Sequence, residues 1–320
     1  KPSLTFITTP NNPTGGAISL DSIRMLAEAA KTTGGLLKYN LIIIQMNFER
    51  KLSIIWLQGE DQIPKQSFKD NIEKWKLLNP QWKVDVVDDS GLRQACKMYS
   101  NDCLDVYDSL NLLHLKVDFG RYVLMYNTSS MYVDMDMCPV KPIESNKLVK
   151  QFIDSYESTE SEHVLGLSVL NLDILESLIY NGTTKFVNNA MMICSKSHPI
   201  IKKLIDTIIS NFNQNKEYSS EFDKIQKLTG PIFFNNFFNN INFKNISLFP
   251  CETFEPAPAS GKYVVSSQTV AIHKMEMSWV PKHIQYIVKF YYFIKPTFIF
   301  IVICYLVKTI IDYIMKQFLS

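Results

Sequence analysis

Met131-Tyr132-Val133-Asp134-Met135-Asp136-Met137 is the stretch on which the fold turns. Its residues alternate, so Val133, Met135 and Met137 fall on one face of a half-buried strand and Tyr132, Asp134 and Asp136 on the other. Two carboxylates two residues apart then lie close together. Left unpaired they repel, and a hard divalent cation that prefers oxygen ligands is their natural partner. The plainer alternative is an edge strand showing two solvated Asp residues to water, because a lone D-x-D arises often by chance. The surrounding sequence has to decide.

Just upstream, Leu110, Leu113, Val117 and Leu124 recur at intervals of three, four and seven, which predicts a helix from Asp105 to Tyr126. Asp118 and Arg121, three apart, share one of its faces, as an ordinary surface ion pair also would. Further upstream, the apolar run Leu52-Ser53-Ile54-Ile55-Trp56-Leu57, closed by Gly59, suits a buried first strand. A helix after Ser67 carries Phe68, Ile72 and Trp75 at helical spacing and stops near Asn79-Pro80. Trp82 to Val87 alternates like a second strand. Strand, helix, strand at this spacing predicts an α/β domain with a parallel or mixed sheet flanked by helices.

The run Asp118-Phe119-Gly120-Arg121, then Leu124 and Tyr126, then Tyr132-Val133-Asp134-Met135-Asp136, resembles the D-x-x-R-x-x-x-L-Y-x-x-G-G-x-Y-x-D-x-D signature of D-x-D sugar-binding glycosyltransferases of the family 32 type. Ser129-Ser130 stands where that signature has two glycines, which alters the turn before the strand, since Gly admits positive φ and Ser does so poorly. Other landmarks of the family appear in order: Ile54 to Gly59 with Ile63-Pro64, Trp75 with Asn79-Pro80 and Trp82, Asn188-Asn189-Ala190-Met191 with His198-Pro199, Thr229-Gly230-Pro231, and Ile272-His273 with Ser278-Trp279.

The resemblance implies a GT-A-like, Rossmann-type domain and a retaining transfer of sugar from a nucleotide-sugar donor to a glycan, lipid or protein acceptor. It also implies a divalent metal, Mn²⁺ or Mg²⁺. Asp134 and Asp136 are expected to hold the metal against the diphosphate, with His273 as third ligand or phosphate contact, His being a common ligand. Asp118, Arg121 and Tyr132 are expected to bind the donor, and Trp56 to stack on its base unless it is simply core. His114, His163, His198 and His283 show no ligand spacing, and the sequons at Asn127, Asn181 and Asn245 matter only in a lumen.

The ends of the chain read differently from its middle. Thr9-Pro10-Asn11-Asn12-Pro13-Thr14-Gly15-Gly16 resembles the N-P-N-N-P-T-G turn of fold-type I pyridoxal-phosphate aminotransferases, with Asn12 in the place beside the cofactor ring. No D-x-x-Y segment or Schiff-base lysine context follows it, so residues 1–45 are read as an extraneous segment and linker, and an aminotransferase as a rival function. Residues 46–282 form the expected catalytic domain. Residues 283–320 carry an apolar dozen, Pro296 to Val307, bounded by Lys295 and Lys308 with tyrosines nearby. At about 1.5 Å per residue a dozen residues fall short of a hydrocarbon core about 30 Å thick. The segment is therefore expected as a snorkelling anchor, an interfacial helix or a helix packed on the domain, making the protein membrane-associated or otherwise cytoplasmic.

Composition sets outer bounds. A formal charge of +2 over 320 residues offers no footprint for nucleic acid, and the six Cys form no C-x-x-C pair and read as free thiols. No secretory leader is read after Lys1. A noncatalytic, membrane-tethered nucleotide-sugar-binding protein is the remaining alternative to an enzyme.

Overall fold

A computed structural model describes residues 48–319 apart from 129, 159–162, 173–175, 178–182, 242–245, 257–264 and 277–279. All of these belong to one compact unit, Met46–Ser320. The aminotransferase-like turn with Asn12 lies outside the described residues.

The centre of the unit is a six-stranded mixed sheet in the order β2-β1-β3-β6-β5-β7. Its strands are β1 (Lys51–Ile55), β2 (Lys83–Val87), β3 (Ser130–Val133), β5 (Leu165–Asn171), β6 (Lys185–Cys194) and β7 (Ile246–Phe249), while β4 (Met137–Pro139) and β8 (Ala271–His273) pair separately as an antiparallel ribbon. β1 runs parallel to both β2 and β3, β6 lies antiparallel between β3 and β5, and β7 is parallel to β5. The helices are α1 (Gln66–Leu78), α2 (Asp89–Tyr99), α3 (Asn101–Ser109), α4 (Leu113–Asn127), α5 (Lys147–Ser158), α6 (Pro199–Asn213), α7 (Glu221–Lys224), α8 (Pro231–Asn239), α9 (Cys251–Phe254) and α10 (Lys282–Leu319). The expected β1-α1-β2 unit forms as a parallel pair joined by a helix.

Two core clusters cover the two faces of the sheet, and β3 feeds both. Met131 and Val133 point into the one shared with α1 and α5, and Tyr132 into the one shared with α2, α4, α6 and α8. The strand is thus buried on both faces, as a central strand between two helical layers must be. This corrects the expected half-buried strand with one polar face.

A second correction concerns length. β3 ends at Val133, and the chain turns through Asp134 to Asp136, closed by the Met137 N–H donating to the Asp134 carbonyl at 3.0 Å, before β4 leaves for the other sheet. Alternation persists across the turn because Met135 and Met137 remain buried, so a pattern in burial outlives the extended backbone that it suggested. Likewise the single helix predicted from Asp105 to Tyr126 is two helices, α3 and α4. Leu110 and Leu112 both adopt extended backbone, and Leu110 stays buried, which preserves the apolar spacing across the break.

Ser130 opens β3 opposite Cys194, buried, without positive φ, and its hydroxyl lies 2.6 Å from Thr128 Oγ1. A serine fits there without strain; Ser129 lies outside the described residues. Gly230, by contrast, is demanded by packing, because a Cβ there would meet the Ile225 carbonyl oxygen at 2.5 Å.

The C-terminal segment is helical over Lys282–Leu319, yet among the described residues no helix is long and apolar enough to cross a membrane. Lys295 and Lys308 bound the apolar dozen Pro296 to Val307 within this helix. The first half of α10 touches the domain through Glu176, whose Oε1 accepts from Tyr292 Oη at 2.6 Å and lies 3.5 Å from Lys295 Nζ.

His198 supplies an acid-sensitive point in this fold. It caps α6, its Nδ1 accepting from the Ile200 N–H, and packs edge-on to His163. Burial first, and His163 second, lower its pKa to about 4 from the ordinary 6.5. The unfolded chain therefore takes up a proton between those two values that the folded chain refuses. Stability is full above about pH 6.5 and falls as the pH drops toward 4, by up to about 3 kcal/mol from this group. Asn at position 198 keeps a capping oxygen and removes the titration. Urea denaturation at pH 7.5 and pH 4.5 is expected to show a smaller acid loss in His198→Asn than in the wild type; an identical loss in both contradicts the assignment.

Candidate active site

In the strand order β2-β1-β3 the chain leaves β1 first to one side and then to the other, so a crevice opens at the carboxyl ends of β1 and β3, the usual ligand position in open α/β sheets. Trp56 directly follows β1 and Asp134 directly follows β3. Both line a cavity of about 460 Å³, together with Asp118, Arg121, Tyr132, Asp136 and His273. Every site residue expected from the sequence therefore faces one cavity.

The turn that carries the two carboxylates is held from behind by α1. Asn71 Nδ2 donates to the Met135 carbonyl at 3.2 Å and Trp75 Nε1 to the Met137 carbonyl at 3.1 Å. Asn79 links the end of α1 to the next segment, its Oδ1 accepting from the Ile143 N–H at 2.7 Å, and Trp82 Nε1 donates to Glu144. The W-x-x-x-N-P-x-W stretch is thus the scaffold of the D-x-D turn. The ribbon β4–β8 adds the third side of the site, placing His273 opposite Met137 in register.

The two carboxylates are not left to repel each other, which revises the simplest reading of D-x-D. Arg121 Nη1 lies 3.1 Å from Asp134 Oδ1, and the same oxygen accepts from Tyr132 Oη at 2.6 Å. Asp136 Oδ1 faces His273 Nε2 at 3.3 Å, while its Oδ2 accepts from the Glu276 N–H at 2.9 Å. Met275, at φ 48°, makes the tight left-handed bend that brings this N–H back. Burial raises the pKa of Asp134. Burial works the same way on Asp136, but the His273 charge and the hydrogen bonds outweigh it and its pKa falls to about 2. His273, buried yet flanked by Glu255 and Asp136, is held well above the ordinary histidine range.

Asp118 and Arg121 form more than a surface pair. Both are buried, 2.9 Å apart, and Arg121 Nη1 also donates to the Asn189 carbonyl at 2.7 Å while its guanidinium lies over the Tyr132 ring. Asn189 Nδ2 reaches Asp118 at 3.2 Å and Tyr122 Oη at 2.9 Å, and Tyr122 donates to the Thr229 carbonyl. Burial pushes the Asp118 carboxyl up to about 7 against the pull of Arg121. One guanidinium thus serves two carboxylates, the buried Asp118 and the half-buried Asp134. Arg121→Met is expected to cost about 3–5 kcal/mol, because Asp118 and Asp134 are left facing each other without a cation. Urea denaturation measures this, and a loss below about 1 kcal/mol would show that the network is not holding the site.

A metal ion fits the residues present. Asp134, Asp136 and His273 each offer one ligand atom within 4.8 Å of the others. Since both protein contacts of Asp134 fall on Oδ1, its second oxygen is the one available. The donor set of two carboxylates and an imidazole suits a first-row divalent ion such as Mn²⁺ better than Mg²⁺, which favours oxygen alone. Trp56 packs edge-on to Phe68, and its buried Nε1 has no hydrogen-bond partner among the described residues, a donor on a cavity wall that a ligand acceptor would satisfy.

Several cavity residues had no role assigned from sequence. Asn188 and Asn189 belonged to a quoted landmark without a function; His114, Gln226 and Glu276 carried no pattern at all. His114 lines the cavity as a histidine whose pKa is lowered by burial. Ser278-Trp279 lies outside the described residues, and so do the sequons at Asn181 and Asn245. Asn127 closes α4 and spends its side chain on the Ala95 carbonyl at 2.8 Å.

The fold and site describe an α/β domain with a D-x-D turn at the crevice of a mixed sheet. Residues 65–158 match the family model for the glycosyltransferase sugar-binding region containing the DXD motif, so the chain carries a DXD-type glycosyltransferase region running from α1 through α5. Over 84 residues it is 31% identical to the uncharacterized glycosyltransferase L373 of Acanthamoeba polyphaga mimivirus, covering 26% of this chain and 33% of that protein. The chain thus spans about a third of the length of that relative. Similar solved structures include the PaToxG glycosyltransferase, at TM-score 0.39 and 14% identity over 59% of this chain and 67% of that one. Another is a glycosyltransferase involved in the glycosylation of the major capsid of PBCV-1, at TM-score 0.40 and 11% identity over 71% and 94% of the two chains.

Proposed function

We propose that the protein is a metal-dependent glycosyltransferase that moves a sugar from a nucleotide-sugar donor to an acceptor hydroxyl. One observation carries the reading: the ligand atoms of Asp134, Asp136 and His273 converge within 4.8 Å on a cavity of about 460 Å³ that Trp56 also lines. A divalent ion held there, Mn²⁺ before Mg²⁺, supplies Lewis-acid neutralisation of charge on the leaving nucleoside diphosphate. Asp134 and Asp136 serve as its oxygen ligands rather than as acid, base or nucleophile. Arg121 keeps Asp134 aimed, and Tyr132 fixes the same carboxylate through its hydroxyl. Asp118 accepts a donor hydroxyl, and Trp56 meets the base with its ring face and its indole N–H. The family resemblance supports retention of anomeric configuration.

We also propose that α10 rests on a membrane surface. Tyr286, Ile287, Phe290, Phe293 and Ile294 are exposed on α10 beside Lys282 and Lys289, a mixture of apolar and basic side chains that suits an interfacial helix.

The test of function is release of nucleoside diphosphate from a panel of nucleotide sugars, with Mn²⁺, with Mg²⁺ and with chelator. Turnover of one donor with Mn²⁺ and none with chelator is expected. Silence across the whole panel with metal present would reject the enzyme and leave a binding protein.

A further inference from the structure

Glu255 follows α9 and is among the most deeply buried charged groups of the domain, with 1% of its surface exposed. Its Oε2 lies 2.9 Å from His273 Nδ1. Its Oε1 accepts from Asn188 Nδ2 at 2.8 Å and from Ser168 Oγ at 3.3 Å, two side chains reaching in from β6 and β5. Its backbone is fixed as well: the Glu255 N–H donates to the Cys251 carbonyl at 2.7 Å, and the Val270 N–H, just before β8, donates to the Thr253 carbonyl at 2.8 Å. A carboxylate so far from water is costly unless each oxygen is matched. Here hydrogen-bond donors meet both oxygens, so position 255 calls for a group that only accepts.

We propose that Glu255 is the positioning residue of the metal site: it takes the Nδ1–H of His273 and thereby turns Nε2, and no other atom of the ring, toward Asp136 and the ion. The inference rests on the reading of Asp134, Asp136 and His273 as metal ligands. The imidazole has two nitrogens, and the one that binds a metal is set by the partner that engages the other. His273 Nε2 already stands 3.3 Å from Asp136 Oδ1, so the ring needs no rotation to ligate; it needs only to be kept from rotating. Glutamine at position 255 has the same shape but presents an NH₂ to donors. With its NH₂ at Asn188 and Ser168 it sets donor against donor and leaves only a neutral oxygen to accept the Nδ1–H; with its NH₂ at Nδ1 it reverses the tautomer, so the hold on the ring weakens either way.

Mn²⁺ affinity, read by electron paramagnetic resonance of the free ion on the full chain, tests this in wild type, Glu255→Gln, His273→Ala and the double variant. Glu255→Gln is expected to weaken Mn²⁺ binding by about 10- to 100-fold with circular dichroism unchanged. In the His273→Ala background the same substitution is expected to add nothing, because Glu255 acts only through the ring. The ¹⁴N coupling of the bound Mn²⁺ is expected in wild type and weakened in Glu255→Gln. Should that variant fold poorly, Glu255→Asp, which keeps the charge but withdraws it by one methylene, is expected to give the same loss. Wild-type affinity and ¹⁴N coupling in the variants would overturn the assignment, as would an equal loss with and without His273. Absence of Mn²⁺ binding by the wild type would overturn the metal reading itself, and with it this role.

Discussion

Asp136→Asn is expected to lower nucleotide-sugar turnover by about a thousandfold, with weakened Mn²⁺ binding and an unchanged far-ultraviolet spectrum. The carboxylate is the ligand group least entangled with the fold. An amide oxygen still accepts the Glu276 N–H that now meets Oδ2, so the turn keeps its closure. What disappears is the anion opposite His273 and one charge of the pair offered to the ion. Asp134 is a poorer subject for the same experiment, since its Oδ1 also answers Arg121 and Tyr132, and its loss would disturb the buried network as well. Diphosphate release and Mn²⁺ titration on one preparation decide the matter. Wild-type turnover in the variant at saturating metal would remove Asp136 from the chemistry.

Trp75→Ala is expected to cost about 3–5 kcal/mol of stability, the usual cost of emptying a fully buried indole site. Trp75 is completely buried in the cluster beneath the D-x-D turn. Its Nε1 is the donor to the Met137 carbonyl, so truncation both opens a cavity and strands an acceptor at the start of β4. Trp75→Phe separates the two contributions. It retains most of the ring volume and leaves the carbonyl unpaired, for an expected loss of about 1–3 kcal/mol. Urea denaturation measures both variants, and a loss under about 1 kcal/mol in Trp75→Ala would show that α1 does not anchor the turn.

The β1-α1-β2 unit was legible because each element has its own local signal: an apolar run, a helical repeat, an alternation. The grouping of Asp134, Asp136 and His273 was legible only through the family resemblance, since 137 residues separate the last two, counting 273 minus 136. The turn inside Met131 to Met137 was hidden because burial alternates across it unchanged. The break between α3 and α4 was hidden because Leu110 stays in the core and neither Gly nor Pro marks the bend. Glu255 was invisible for a different reason. Its meaning comes from Ser168, Asn188 and His273, which meet it only across the finished sheet.

The ribbon of β4 with β8 pairs Met137 with His273 and so ties the middle of the chain to a segment made much later. During synthesis, the strands of the six-stranded sheet are all complete by Phe249, before β8 has been added. Closing the ribbon carries the entropy cost of a long loop, for which three residues of pairing are slight compensation. The proposed metal site therefore comes together only after the sheet strands are made, and a nascent chain holds Asp134 and Asp136 well before it holds His273.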